Sequence, residues 1–136
     1  MANINLVTAN KVNVVESIIQ MTLPAAEAIT AGAPVRLDTA NGKFTNANAT
    51  NANEARIYGI ATKTVAAGEA LTAIRKGVMD GFDVSALAWD ADIYLSDTDG
   101  RIADAAGTVS TKVGRVIPGT ATTLGTAYDK IVFVDL

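Results

Sequence analysis

The residues of this sequence that could carry out chemistry are mainly carboxylates, because the 136-residue chain contains no histidine and no cysteine. Their absence excludes Ser-His-Asp and Cys-His catalytic systems, imidazole bases, disulfides and thiolate metal sites. The acids are concentrated in one stretch: Asp80, Asp83, Asp90, Asp92, Asp97, Asp99 and Asp104. Two such carboxyls could serve a glycosidase, but sugar-binding sites carry aromatic platforms and only 5% of residues are aromatic. We therefore expect turn and surface roles, in which the carboxylate accepts hydrogen bonds from nearby backbone.

Two short motifs resemble ligand loops without completing them. Residues 96–101, SDTDGR, echo the start of a calcium loop, but the third acid and the closing glutamate are missing. This stretch predicts a hairpin turn, with weak calcium binding as the alternative. Residues 119–125, GTATTLG, lack the lysine of a phosphate loop and predict a turn. The sequence thus predicts no catalytic residue, no metal site and no cofactor, and a chain that is not an enzyme.

Bulk composition favours one folded domain that binds neither nucleic acid nor membranes. Hydrophobic residues make up 49% of the chain and charged residues 18%, which is ample apolar material for a core. The net charge of −3 gives no basic footprint for nucleic acid. No segment approaches the ~20 apolar residues that span a bilayer, and the N-terminus lacks a signal-peptide pattern. We expect a protein made in the cytoplasm.

Glycine, proline and asparagine divide the chain into about eight short apolar runs, the pattern of an all-β fold, a small β-barrel or β-sandwich. Asn41-Gly42 predicts a two-residue type I′ hairpin turn, and residues 45–55, TNANATNANEA, predict an exposed loop without core residues. Residues 15–23 fit both helical and strand spacing, and we favour a strand that ends at Pro24. Gly59 lies inside a strand pattern and predicts a bulge or a close backbone approach.

The domain organisation predicted is an N-terminal arm, flexible or extended, over residues 1–14, followed by a single β domain over residues 15–136. The arm is thinly apolar and rich in asparagine, and a frayed terminus without a role is the alternative. We expect Ile4, Leu6 and Val12 to contact a neighbouring subunit, so that removing residues 1–14 leaves a folded domain that binds poorly. Trp89, the single tryptophan, is a candidate interface anchor, with a packing role as the alternative.

Four stretches in order resemble the capsid decoration, or cement, proteins of tailed phages. They are AITAGAPVRL, RIYGIATKTVAAGEALTAIRKGVMDGF, ADIYLSDTDGRI and KVGRVI, within residues 28–117. The stretch ALAWDAD departs from the glycine turn usual in that family. The resemblance implies a β-barrel-like protein on the outer surface of the virion head. It further implies a homotrimer that binds the major capsid protein and stabilises contacts between its subunits.

Two other functions remain open from the residues alone. One is a surface-exposed carbohydrate- or receptor-binding β module, which needs exposed aromatic rings or an acid-rich metal site. The other is a hydrolase that uses two of the clustered aspartates. A compact β scaffold without histidine or cysteine favours the structural function over both.

Overall fold

The computed structural model of the chain describes residues 2–119 and 130–136 and is all-β. Within these residues there is no helix, and nine strands form one antiparallel sheet. They are β1 (Asn13–Pro24), β2 (Pro34–Leu37), β3 (Phe44–Asn46), β4 (Ile57–Ala61), β5 (Ala70–Asp80), β6 (Asp92–Leu95), β7 (Ile102–Ala103), β8 (Lys112–Pro118) and β9 (Lys130–Asp135). The all-β prediction is confirmed. The turn predicted over 119–125 lies, from residue 120 onward, outside the described residues.

The sheet is organised around β5, the second longest strand. The main path of hydrogen-bonded strands runs β3-β2-β4-β5-β9-β8-β6-β7, and β1 pairs separately with β5. One edge of β5 is shared by β4 and β9, while its other edge is paired along its whole length with β1. As a result, β1 is an edge strand attached to the body of the domain through β5.

The two ends of the strand path come together, so that the sheet is curled like a barrel. The Gly100 N–H donates to the Ala47 carbonyl at 2.9 Å, and the Ala49 N–H donates to the Ser96 carbonyl at 2.8 Å. These bonds join the segment after β3 to the loop between β6 and β7. Most of the core lies inside this curl, around fully buried residues such as Ile74, and a smaller cluster surrounds Phe44 and Leu71.

The strand prediction for residues 15–23 is confirmed, and Gly59 has the close contact that its position predicted. A Cβ built on Gly59 would lie 2.7 Å from the Ile74 carbonyl oxygen, inside van der Waals contact. The β2–β4 register also shifts between Val35 and Arg36, the former paired with Gly59. The absence of a side chain therefore allows β4 to approach β5.

The hairpin predicted at Asn41-Gly42 exists, but its turn is longer than two residues. Strands β2 and β3 pair through Leu37 and Phe44, and the Asp38 N–H donates to the Lys43 carbonyl at 2.7 Å. Gly42 has a φ of +71°, whereas Asn41 does not adopt positive φ. A type I′ turn requires positive φ at both positions, so the two-residue prediction is wrong and four residues form the loop.

The prediction that the Asn/Ala segment, residues 45–55, contributes nothing to the core is also wrong. Ala47 and Ala49 are fully buried where the ends of the sheet meet. Asparagines satisfy the backbone around them: the Asn48 carboxamide oxygen accepts from the Thr50 N–H at 3.1 Å, and that of Asn51 accepts from the Glu54 N–H at 3.0 Å. Small methyl groups fit this closure because the backbones approach closely.

This packing predicts that leucine substitution destabilises the protein at one alanine of this segment and has little effect at another. Ala49→Leu is expected to lower the free energy of unfolding by about 1–3 kcal/mol, because three added carbons must enter a filled site. Ala52→Leu adds the same atoms at an exposed position and is expected to change it by less than about 0.5 kcal/mol. Urea denaturation followed by circular dichroism measures both, and equal midpoints would contradict the buried role of Ala49.

The N-terminal segment, residues 2–12, contains a turn over residues 8–11, lies against the domain and is not a free arm. The Ile4 N–H donates to the Ile102 carbonyl at 2.9 Å, and the Val7 N–H donates to the Gly81 carbonyl at 2.8 Å. Ile4 is 7% exposed and Val12 is 9% exposed, both within the main core. The apolar residues that suggested contacts with a neighbour are used by the chain's own core, which corrects the expectation of an arm.

Candidate interaction surface

Each of the seven clustered aspartates has a structural partner. Asp80, Asp83, Asp97 and Asp104 accept hydrogen bonds from backbone N–H groups at Gly81, Ser85, Thr108 and Ala2. Asp99 accepts from the Asn48 carboxamide, and Asp90 and Asp92 form ion pairs with Arg115 and Lys112. The carboxylates therefore hold turns and strand ends, as the sequence predicted. Within residues 2–119 and 130–136, no three acids are grouped so that they could hold a metal ion.

The calcium-like motif at residues 96–101 is a hairpin turn between β6 and β7, which confirms that prediction. The Ser96 N–H donates to the Arg101 carbonyl at 3.0 Å, and the Thr98 N–H donates to the Ser96 hydroxyl at 3.0 Å. Gly100 has a φ of +69°, a conformation that glycine adopts without strain. The Asp99 carboxylate points toward Asn48 and the sheet closure.

Among residues 2–119 and 130–136, two ionisable groups have shifted pKa values, and both shifts have structural causes. Hydrogen bonding from Asn48, opposed by partial desolvation and assisted by Thr50 and Arg36, lowers the pKa of Glu54. The hydrogen bond to the Asp92 carboxylate raises the pKa of Lys112. Each shift favours the charged form that makes the observed contact. Neither group is poised for proton transfer near neutral pH, which is what general acid–base catalysis requires.

A surface groove of about 660 Å³ is lined by Leu37, Tyr58 and Arg75 among others. The Arg75 guanidinium lies 5.2 Å from the centroid of the Tyr58 ring and covers it. Trp89 is 49% exposed, but the Lys130 amine lies 5.1 Å from the centroid of its ring. One face of each ring is therefore engaged by a cation.

The feature that departs most from an ordinary monomer surface is β1. Eleven of its twelve residues are exposed, all except the half-buried Leu23. They include five of the eight large apolar side chains that are exposed in the described part of the chain: Val14, Val15, Ile18, Ile19 and Met21. A half-buried strand normally exposes one face and buries the other. Both faces of β1 are uncovered, and Val15 and Ile18 are more than half exposed.

The outer edge of β1, the edge facing away from β5, is also open in the described residues. The other strand edges are covered: the Ala26 N–H donates to the Phe44 carbonyl in β3, and the N-terminal segment pairs with β7. Uncovered edges recruit other strands, and proteins usually protect them with charged residues. β1 has one charged residue, Glu16, and its protection is confined to three irregularities in the pairing with β5.

Of the predicted contact residues, the structure leaves Trp89 exposed, Leu6 half-buried, and Ile4 and Val12 buried. It does not bring the four together on one surface, because Ile4, Leu6 and Val12 pack at the main core. Sequence reasoning did not identify β1 as a surface, although a signal was present. The adjacent pairs Val14-Val15 and Ile18-Ile19 place apolar side chains on both faces of a strand. In a central strand such pairs are buried, whereas here the strand lies at an edge.

Comparison of the chain with protein-family models, with curated proteins and with solved structures finds no match in any of the three. No helix among residues 2–119 and 130–136 has the length and apolar character needed to cross a membrane.

Proposed function

We propose that this chain is a structural assembly protein of a tailed phage, a decoration protein that binds the major capsid protein on the outer surface of the head. The observation that carries the proposal is β1: a long strand with apolar side chains on both faces and an open edge. Larger apolar patches of this kind mark sites of protein–protein interaction. The four stretches within residues 28–117 that resemble tailed-phage decoration proteins, in the same order, indicate the major capsid protein as the partner.

The stabilising mechanism in this proposal is linkage, without any covalent step. A protein that binds only the expanded shell lowers the free energy of that state by about 2.7 kcal/mol per site at a hundredfold excess over Kd. Repeated over many equivalent sites, weak contacts resist internal pressure. The structural roles of the seven aspartates fit this function, since the described carboxylates serve the scaffold.

A carbohydrate-binding function finds less support, because one face of the Trp89 ring and one face of the Tyr58 ring are already engaged by a cation. A hydrolase finds less support because the clustered aspartates are separately engaged. Binding to the major capsid protein is therefore the function that the following experiment tests.

The test uses heads assembled from the major capsid protein encoded nearest to this chain's own reading frame. Purified protein is expected to co-sediment with expanded heads to a saturating occupancy and to raise the temperature at which they lose DNA. Unexpanded shells, which lack the matured lattice, are the matched control and should bind less. An absence of co-sedimentation with expanded heads at micromolar protein would overturn the proposal.

A further inference from the structure

The edge of β1 is suited to another strand of the same length and similar character. Its twelve residues extend about 40 Å at ~3.3 Å per residue. Along this length one edge is hydrogen-bonded to β5, and the opposite edge has no strand partner in the described residues. We infer that β1 pairs antiparallel with β1 of a second copy of this chain, about a two-fold axis near Ile18. The inference rests on the proposed structural function but concerns the free protein, before any capsid is present.

Charge favours a copy of this strand over a charged partner. Glu16 is the single charged residue of β1, so the strand offers no pattern for a basic or acidic surface to complement. In an antiparallel pair with Ile18 opposite Ile18, Glu16 lies opposite Gln20, and the two carboxylates do not face each other. Like charges placed directly opposite would destabilise the pair, and this register avoids them.

The apolar side chains of two copies do not by themselves reach the area of a stable interface, so the backbone edges must contribute to the pair. The five exposed apolar side chains of β1 present on the order of 300 Å² of apolar surface per copy. Two copies contribute about 600 Å², half of the ~1,200 Å² at the lower limit of stable interfaces. The backbone edge and the intervening polar side chains, such as Ser17 and Gln20, supply additional contact. An isologous contact of this kind is the commonest form of self-association.

This geometry differs from the trimer that the resemblance implies. In a three-fold ring, β1 would contact a different surface of the next copy, and like residues would not meet. In a two-fold pair, residues at the axis meet their own equivalents. Single-cysteine variants distinguish these arrangements because the chain has no cysteine of its own, so every disulfide formed must join two copies at the same residue.

The experiment places cysteine in turn at Val15, Ser17, Ile18, Ile19 and Met21, with Ala52→Cys as a control at an exposed site outside β1. Disulfide formation needs Cα atoms within about 7 Å, a separation reached only beside the axis. Under mild oxidation we expect crosslinked dimer to be maximal at Ile18, and lower at Ser17 and Ile19, whose equivalents lie about 8 Å apart across the pair. Its yield is expected to be at least tenfold lower at Val15, Met21 and Ala52.

A second measurement uses substitutions with similar exposure. Val15→Lys is expected to raise the dimer dissociation constant at least tenfold, because it replaces an exposed apolar side chain of β1 with a charged one in each copy. Val7→Lys, at a valine that is 72% exposed outside β1, is expected to leave it unchanged. Both are measured by sedimentation equilibrium on proteins whose circular dichroism shows them folded.

Equal crosslinking at every β1 position would indicate parallel pairing and would overturn the two-fold arrangement. A trimer without crosslinking at Ile18, or a monomer at high micromolar concentration, would also overturn it. These outcomes are separable from failure of the proposed function. If the protein is a monomer but still co-sediments with heads, the self-pairing is contradicted and the capsid function is not. If the protein is a dimer that does not bind heads, the capsid function is contradicted and the self-pairing is not.

Discussion

Removal of residues 2–12 is expected to lower the free energy of unfolding by about 4 kcal/mol or more, and to leave little folded protein at 37 °C. The truncation takes the buried Ile4 and Val12 side chains out of the main core. Truncating one buried isoleucine to alanine costs about 2–5 kcal/mol of stability. The total free energy of unfolding of a domain of this size is about 5–15 kcal/mol. The deletion also exposes the edge of β7 that residues 2–4 cover.

Urea denaturation followed by circular dichroism measures this effect, with two point variants that locate its origin. Ile4→Ala is expected to lower the free energy of unfolding by about 2–5 kcal/mol. Val7→Ala, at an exposed side chain, should change it by less than about 0.5 kcal/mol. A truncated protein with the denaturation midpoint of the full chain would contradict the packed N-terminal segment. It would restore the expectation of a free arm that binds a neighbour.

The N-terminal segment and the Asn/Ala segment contain buried residues whose burial could not be predicted from a single sequence. Both are rich in asparagine and poor in large apolar residues, which locally is the composition of exposed chain. Ala49 is buried because two distant parts of the sheet meet there, and Ile4 is buried because residues 102–104 lie beside it. Such burial depends on long-range closure, and neither periodicity nor propensity encodes it.

Strand identity was predictable wherever turn residues and alternating apolar residues agreed. The runs that became β4, β6, β8 and β9 were recognised because glycine, proline or aspartate bounds them. The turn roles of the aspartates followed from their own side-chain chemistry, which acts over two or three residues. The role of β1 was missed, since the adjacent apolar pairs that signalled it also fit a buried strand. Its exposure follows from its position at the outer edge of β5.

Substitution of Gly114 by alanine is expected to lower the free energy of unfolding by about 3 kcal/mol or more, whereas the same change at Gly77 releases one strand. A Cβ at Gly114 would lie 2.0 Å from the Phe133 carbonyl oxygen, between the central strands β8 and β9. Backbone atoms yield less readily than a flexible side chain, so β8 and β9 must separate. Overpacking of a filled core commonly costs 1–3 kcal/mol, and this contact is more severe.

At Gly77, a Cβ would lie 2.3 Å from the Glu16 carbonyl oxygen, which belongs to β1. Gly77→Ala is therefore expected to detach β1 from β5 while the rest of the sheet stays folded, since β5 keeps its pairing with β4 and β9. Hydrogen exchange measures this directly: amide protection in β1 should fall at least tenfold, and protection in β8 and β9 should stay within twofold.

The matched control is Gly42→Ala, where no atom lies within 4 Å of the added Cβ and only the positive φ is costly, by about 1–2 kcal/mol. Loss of protection throughout the Gly77→Ala protein would mean that β1 is integral to the folding unit and not an attached edge. If the Gly77→Ala protein loses amide protection only in β1 and also loses the crosslink near Ile18, then the close packing of Gly77 against Glu16 keeps β1 in the position that self-association requires.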